Sequence, residues 1–191
     1  MNTPLPPKQL RMATDAKRAI GLPPTQIPEG YELRGFQPGD EEQWLALQHL
    51  GGFTHWDLDG IEKYLEDPVR RDGSRVVMTG DRLVAATFAT PHENQDGVGY
   101  LDYVVSHPDY RGQGLGRAVC AAVMTFFVER GYDSIVLLTD DWRLPAIGLY
   151  LSLGFDPVME REDMPSRWQA IRAELEKPRS VGPTESPSTG S

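Results

Sequence analysis

The chain has 191 residues, 39% hydrophobic and 25% charged, which fits one folded domain of ordinary globular type with tails. No apolar run approaches the roughly 20 residues that span a bilayer. The net charge of −9 disfavours binding to a polyanion such as DNA, and Cys120, the one cysteine, permits neither an internal disulfide nor a Cys/His metal cluster. A metal-free cytoplasmic protein is expected, a monomer or homodimer with no nucleic-acid or membrane partner.

In chain order, residues 1–28 hold Pro4, Pro6, Pro7, Pro23, Pro24 and Pro28, carry a charge of +3 and lack the apolar core of a signal peptide. They are expected to form a flexible basic arm, with room for a short helix between Gln9 and Ile20. Tyr31–Phe36 reads as a strand. Asp40 opens a helix with Gln43 as its capping-box partner, Trp44, Leu47 and Leu50 on one face, and Gly51-Gly52 as its stop. A second helix carries Leu58, Ile61, Tyr64 and Leu65 and ends before Pro68. Strands over Arg75–Thr79 and Leu83–Thr90 flank the turn Gly80-Asp81, and a polar stretch from Pro91 to Gly97 precedes a strand over Val98–Ser106.

Leu115–Arg130 is an apolar-faced helix, and Ser134–Thr139 a strand whose run Ile135-Val136-Leu137-Leu138 marks burial on both faces. Trp142–Leu153 reads as a helix with Pro145 near its first turn, Phe155–Met159 as a last strand and Arg167–Glu176 as a last helix. Residues 177–191 are too poor in apolar side chains to offset their ordering entropy and are expected to be a disordered tail. With +1 in that tail, residues 29–176 carry −13. The expectation is one α/β domain over residues 29–176, a mixed central sheet of six to seven strands flanked by about four helices.

The informative segment is Tyr110-Arg111-Gly112-Gln113-Gly114-Leu115-Gly116-Arg117, between a strand and a helix. Alternate glycines there let the backbone approach a ligand and turn its N–H groups outward, and a helix N-terminus adds a phosphate site. Arg111 and Arg117 supply cationic charge. The same pattern also fits a plain glycine-rich loop. The dinucleotide fingerprint fails because Arg117 holds the place of its third glycine, and the P-loop ending is absent.

At these residues the sequence resembles the GNAT superfamily of acetyl-CoA-dependent N-acyltransferases. The signature Arg/Gln-x-x-Gly-x-Gly/Ala is matched by Arg111, Gly114 and Gly116, and an Ala-Ile-x-Leu-Tyr helix closing in Leu-Gly-Phe by Ala146 to Tyr150 and Leu153 to Phe155. The resemblance follows element order from Tyr31 to Met159 and is specific from Leu101 to Phe155. It implies acetyl transfer from acetyl-CoA, as co-substrate, to a primary amine of a small molecule or peptide, by direct attack in a ternary complex. It implies a donor site in which backbone of Val104, Val105 and Ser106 pairs with the pantetheine arm and amides of Arg111, Gly112, Gln113, Gly114, Leu115, Gly116 and Arg117 hold the pyrophosphate.

The resemblance makes Tyr150 the group that donates to the departing sulfur. With ordinary pKa values near 10 and 8.5, full proton transfer is uphill by about 2 kcal/mol, so its role is a hydrogen bond that strengthens as thiolate charge develops. The alternative is a core tyrosine. Asp102, on the strand before the donor-pairing stretch and in phase with Tyr100 and Val104, is the first candidate base and Glu93 the second; a purely structural acceptor is equally compatible with Asp102. Phe53, His55 and Trp56 either wall the acceptor or cover the core. Arg143 stands where the family often has asparagine near the cofactor. His49, His92 and His107 are expected on the surface and Cys120 in the core. A GNAT-like domain that binds acyl-CoA without catalysis, and a transferase with a longer acyl donor or an oxygen acceptor, remain alternative readings.

Overall fold

The computed structural model describes residues 8–21 and 27–177. The chain divides into two compact units, Met1–Val158 and Met159–Ser191. The first holds seven strands: β1 (Leu10–Asp15), β2 (Glu32–Gly35), β3 (Arg75–Thr79), β4 (Arg82–Pro91), β5 (Val98–Ser106), β6 (Ser134–Thr139) and β7 (Asp156–Pro157). They form one sheet in the order β2-β3-β4-β5-β6-β1-β7. Helices α1 (Glu41–Leu50), α2 (Leu58–Tyr64) and α3 (Pro68–Gly73) lie between β2 and β3, α4 (Leu115–Glu129) joins β5 to β6, and α5 (Leu144–Ser152) joins β6 to β7. Helix α6 (Met164–Leu175) belongs to the second unit, where Arg167 Nη1 meets Asp163 Oδ2 at 2.8 Å across its first turn. Pairing is antiparallel throughout except between β5 and β6, so the sheet is mixed, as the alternation of patterns predicts. Among the described residues no helix is long and apolar enough to cross a membrane.

β4 is the spine of the core. Its residues from Leu83 to Thr90 are all buried, and successive side chains point to opposite faces. Phe88 stacks on Trp44 of α1, ring centroids 4.3 Å apart and 9° from parallel. Ala89 faces the other way, toward α3 and α4, where a Cβ placed on Gly73 would come within 2.6 Å of the Ala89 methyl. Gly99 on β5 is equally confined, because a Cβ there would lie 2.5 Å from the ring of Phe127 on α4.

Several local expectations are corrected. Part of the stretch read as an arm is sheet: β1 runs antiparallel between β6 and β7, with Leu10, Met12 and Thr14 buried, and the short helix allowed there is confined to a 3-10 turn over Ala16–Gly21. The alternation of Leu10, Met12 and Thr14 with Arg11 and Ala13 buries one face of the segment, which prolines on either side obscure in the sequence. Residues 1–7, 22–26 and 178–191, where the rest of the arm and most of the tail were assigned, lie outside the described residues. The second helix ends before Pro68 as expected, at Tyr64, but Pro68 also opens a further helix, α3, whose N-cap Asp67 accepts the N–H of Arg70.

The capping box of α1 is not formed. Asp40 stands at the N-cap, but its carboxylate grips Arg34 at 2.7 and 2.8 Å. Gln43 bridges to Asp81 O and the Leu83 N–H. A bidentate charge-assisted pair outweighs a neutral cap, so α1 is tied to the sheet rather than to itself.

Candidate active site

The two central strands separate. β5 and β6 pair only through Val98–Tyr100 and Ser134–Val136, so from Leu101 to Ser106 the edge of β5 that faces away from β4 has no strand beside it. The gap opens into a cleft of about 390 Å³, walled by Leu101–Val104 on one side and Leu138–Asp140 on the other, with Phe53, Arg143 and Tyr150 around it.

A bulge shapes that wall. Ala86 pairs with Val105 and Phe88 with Asp102, so Thr87 alone opposes both Tyr103 and Val104. Tyr103 takes φ +48°, a left-handed conformation rare for a bulky side chain. Its carbonyl accepts from Gln48 Nε2 of α1 at 3.3 Å, and Thr87 Oγ1 donates to Asp102 O at 2.8 Å, which fixes the distortion from both sides. The bulge breaks the strand's alternation. Asp102 and Tyr103, though adjacent, both meet Tyr64. The expected phase of Asp102 with Val104 is therefore corrected, and Val105 turns into the core beside Trp44 and Leu47. Of Val104, Val105 and Ser106, only Val104 lines the cleft, although the edge of β5 stays unpaired as far as Ser106.

The glycine loop brings the start of α4 to the end of β5. A Cβ on Gly116 would lie 3.2 Å from Ser106 Oγ and 3.7 Å from Leu149 of α5. Gly112 and Gly114 have φ of +81° and +78°, which L side chains rarely adopt, while the space beside both is open. Their glycine identity thus answers to backbone conformation, and that of Gly116 to close packing. Gly114 is the N-cap of α4 and supplies no capping side chain, so helix geometry leaves the N–H groups of Leu115, Gly116 and Arg117 without intrahelical acceptors. A 15-residue helix with an uncapped N-terminus favours an anion there. Arg111 and Gln113 are exposed, whereas the side chain of Arg117 is turned to Ser152 Oγ at 2.7 Å.

Tyr150 lines the cleft from α5 and is 6% exposed. Its hydroxyl has no hydrogen-bond partner among the described residues, and burial pushes its pKa well above the ordinary tyrosine value, so it stays protonated and available as a donor. Asp102 lies across the cleft. Burial raises its carboxyl above the usual range, while hydrogen bonds from Tyr64 and Thr90 and the charge of Arg70 pull the other way. Tyr64 Oη donates to Asp102 Oδ2 at 3.2 Å and lies 2.7 Å from Thr90 Oγ1. A carboxylate raised toward neutrality, at the wall of a cleft, has the character of a proton acceptor.

The remaining candidates divide. Phe53 and His55 line the cleft. Trp56 instead packs on Phe88, Tyr64 and Tyr103 and serves as cover. Arg143 faces the cleft, bonded to Asp140 at 3.2 Å, with its guanidinium over Phe53 at 4.9 Å. Glu93 lies on the rim of an adjoining cavity that also reaches Asp102. His107, expected at the surface, is 8% exposed: Arg82 lies 2.8 Å from its Nε2, and its Nδ1 accepts from the Asp109 N–H. Cys120 is fully buried with its thiol pushed far up, which removes it as a nucleophile. Among the described residues no group of three or more His, Cys, Asp or Glu could hold a metal ion. Sequence reasoning missed Tyr64, Arg70 and Thr90 as site residues; the first and last were read as core and strand, and only the position of Asp102 could have pointed to them.

Comparison with known proteins agrees with this geometry. The family model described as "Acetyltransferase (GNAT) family" matches residues 36–155. Over 145 residues the chain is 34% identical to a mycothiol acetyltransferase of Thermobispora bispora, covering 70% of this chain and 49% of that protein. The chain thus spans about half the length of the curated relatives it matches. Among solved structures, a GCN5-related N-acetyltransferase from Sphaerobacter thermophilus superposes with a TM-score of 0.62 at 20% identity, over 80% of this chain and 50% of that one. AAC(6')-Iy in complex with a bisubstrate analogue, CoA-S-monomethyl-acetylneamine, gives 0.58 at 21% identity, over 69% and 93%. At such identities these two likenesses speak to the fold.

Proposed function

The chain belongs to the acetyltransferase (GNAT) family, and from that premise we propose that it moves an acetyl group from acetyl-CoA to a primary amine of a small molecule or peptide, by direct attack in a ternary complex. One observation carries the reading: a cleft between parted strands has an unpartnered, protonated tyrosine on its wall, and the unpaired edge of β5 that borders it runs on to Ser106, where the uncapped start of α4 lies. The free edge of β5 suits a ligand that pairs as an added strand, and the amides of Leu115, Gly116 and Arg117 suit a pyrophosphate. No metal is needed for this chemistry. Acetyl-CoA, when bound, supplies the thioester: the neutral amine nitrogen bonds to its carbonyl carbon, the carbon–sulfur bond breaks, and the sulfur leaves as CoA thiol with the proton that the nitrogen sheds on becoming an amide.

Asp102 takes a proton from the acceptor ammonium, directly or through water. That removal matters because an amine of pKa near 10 is neutral in only about one molecule in a thousand at pH 7, a handicap of about 4 kcal/mol. Tyr150 donates its hydroxyl to the developing thiolate; it forfeits no protein hydrogen bond in doing so. Phe53 and His55 border the reacting region and exclude water from it.

The test is thiol release from acetyl-CoA with a panel of primary amines, run beside calorimetric titration of CoA. Turnover that falls in Tyr150→Phe with CoA affinity retained supports the transferase. Tight CoA binding with no turnover on any amine favours the silent acyl-CoA-binding module instead. Replacing acetyl-CoA by longer acyl-CoAs, and amines by alcohols, separates the acetyl-to-amine reading from its neighbours.

A further inference from the structure

Beside the donor cleft lies a second cavity of about 340 Å³, and the two meet at Asp102 and Leu138. Arg70 faces this second cavity with Tyr64, Thr90 and Glu93. It stands in the first turn of α3, where the Asp67 cap accepts its backbone N–H at 3.0 Å. The guanidinium lies over the Tyr64 ring, 4.0 Å from its centroid. Its Nε is buried with no hydrogen-bond partner, and among the described residues its side chain makes no ion pair. The contrast is with Arg34, Arg130 and Arg143, each of which meets a carboxylate.

A guanidinium stacked on a ring keeps its in-plane N–H groups pointing outward, where their fork matches a carboxylate or a phosphate. Leaving such donors unmatched in a partly buried site is costly. Tyr64 joins this cation to the candidate base, since its ring lies under Arg70 and its hydroxyl donates to Asp102. One tyrosine side chain therefore separates a free positive group from a carboxylate that faces the reacting end of the donor cleft. A cavity with those two poles complements a molecule with the opposite two. A simple cationic amine would meet repulsion from Arg70, and a neutral amine would leave its donors empty.

We propose that the acceptor is a small primary amine that also carries an anionic group, a carboxylate or a phosphate, seated on Arg70 while its nitrogen approaches Asp102. This deepens, and rests on, the transferase reading above. It makes Arg70 a specificity-determining residue.

The experiment uses the full chain. Probes are glycine, β-alanine and lysine with their primary amides, and phosphoethanolamine with ethanolamine. Thiol release with acetyl-CoA gives kcat/KM for each pair, and calorimetry reads binding of the same probes to the CoA-loaded protein without turnover. The expected result is a preference for at least one acid over its amide, or for phosphoethanolamine over ethanolamine, of roughly tenfold or more. That ratio should collapse to about twofold or less in Arg70→Gln and return in part in Arg70→Lys, with CoA affinity retained in both. Which pair shows it tells carboxylate from phosphate. Equal use of charged and uncharged partners, or equal loss on both in Arg70→Gln, overturns the proposal. Binding of an anionic amine that depends on Arg70 without turnover upholds the site while defeating the transferase; absence of both binding and preference defeats the site alone if other amines turn over.

Discussion

Gly114→Val perturbs the proposed anion site at one bond. Gly114 has φ +78° and open space where a Cβ would go, so valine meets no clash and its whole effect is backbone strain of about 1–2 kcal/mol. For a chain of this size that lowers the thermal midpoint by about 2–8 °C. To relieve the strain the chain must rotate the peptide leading into α4, which re-aims the free N–H groups of its first turn. Losing one hydrogen bond to a charged oxygen is worth about 1.5–3 kcal/mol, so the CoA dissociation constant should rise at least tenfold, or about 1.4 kcal/mol. Gly131, past the other end of the same helix, has φ +77° and equally open surroundings. Gly131→Val should therefore lower the midpoint by a similar amount and leave CoA affinity within about twofold. Calorimetry with CoA and thermal melts on both variants form the assay. Unchanged affinity in Gly114→Val, or equal loss in both, would refute the assignment of the anion to this helix end.

Three further outcomes are expected. Tyr150→Phe should lower thiol release roughly 100-fold with little change in CoA binding, and because burial raises the Tyr150 pKa, wild type should show no alkaline loss from this group across the ordinary assay range; equal rates in a stopped-flow comparison would remove it from the reaction. Asp102→Asn should lower kcat roughly 100-fold. Asp102 must be ionised to take a proton and burial raises its pKa, so wild-type activity should fall, as pH is lowered, at a higher pH than an ordinary carboxylate would give, and the variant's residual rate should lack that limb. The same shift bears on stability. A carboxyl raised in the folded state stabilises below its unfolded pKa and loses that contribution as pH rises through the folded value, so Asp102→Asn should melt above wild type at neutral pH with the gap closing in acid. Gly99→Ala should cost about 1–3 kcal/mol in urea unfolding, since its Cβ would lie 2.5 Å from the Phe127 ring; a neutral result would contradict the packing of α4 on β5.

Strands with an unambiguous pattern were legible residue by residue. β3, β5 and β6 begin and end where alternation or a continuous apolar run places them. β1 was not, because its interior residues Met12 and Ala13 have no strong strand preference and proline-rich flanks suggested an arm. α3 was lost because Pro68 was read as a stop rather than as a first-turn residue. Asp40 and Gln43 match a local cap in spacing, yet Asp40 takes Arg34 of β2 and Gln43 takes Asp81 and Leu83, about 40 residues away and outside any local window. At the candidate site, the glycine loop stands out by its spacing, Tyr150 by the family resemblance and Asp102 as an acid inside a strand. The bulge at Tyr103 depends on pairing with β4, and the approach of Arg70 to Asp102 depends on three separate segments. Long-range geometry of that kind decides which polar groups end up facing one another.

On the proposed reading, the parted β5 and β6 strands and the bare start of α4 form one seat for the donor. A crystal structure of the chain with CoA tests it most directly. Pyrophosphate oxygens are expected within hydrogen-bond distance of the Leu115, Gly116 and Arg117 amides, pantetheine along Val104–Ser106, and sulfur beside the Tyr150 hydroxyl. CoA bound elsewhere, or β6 closed against Leu101–Ser106 in its presence, would contradict it.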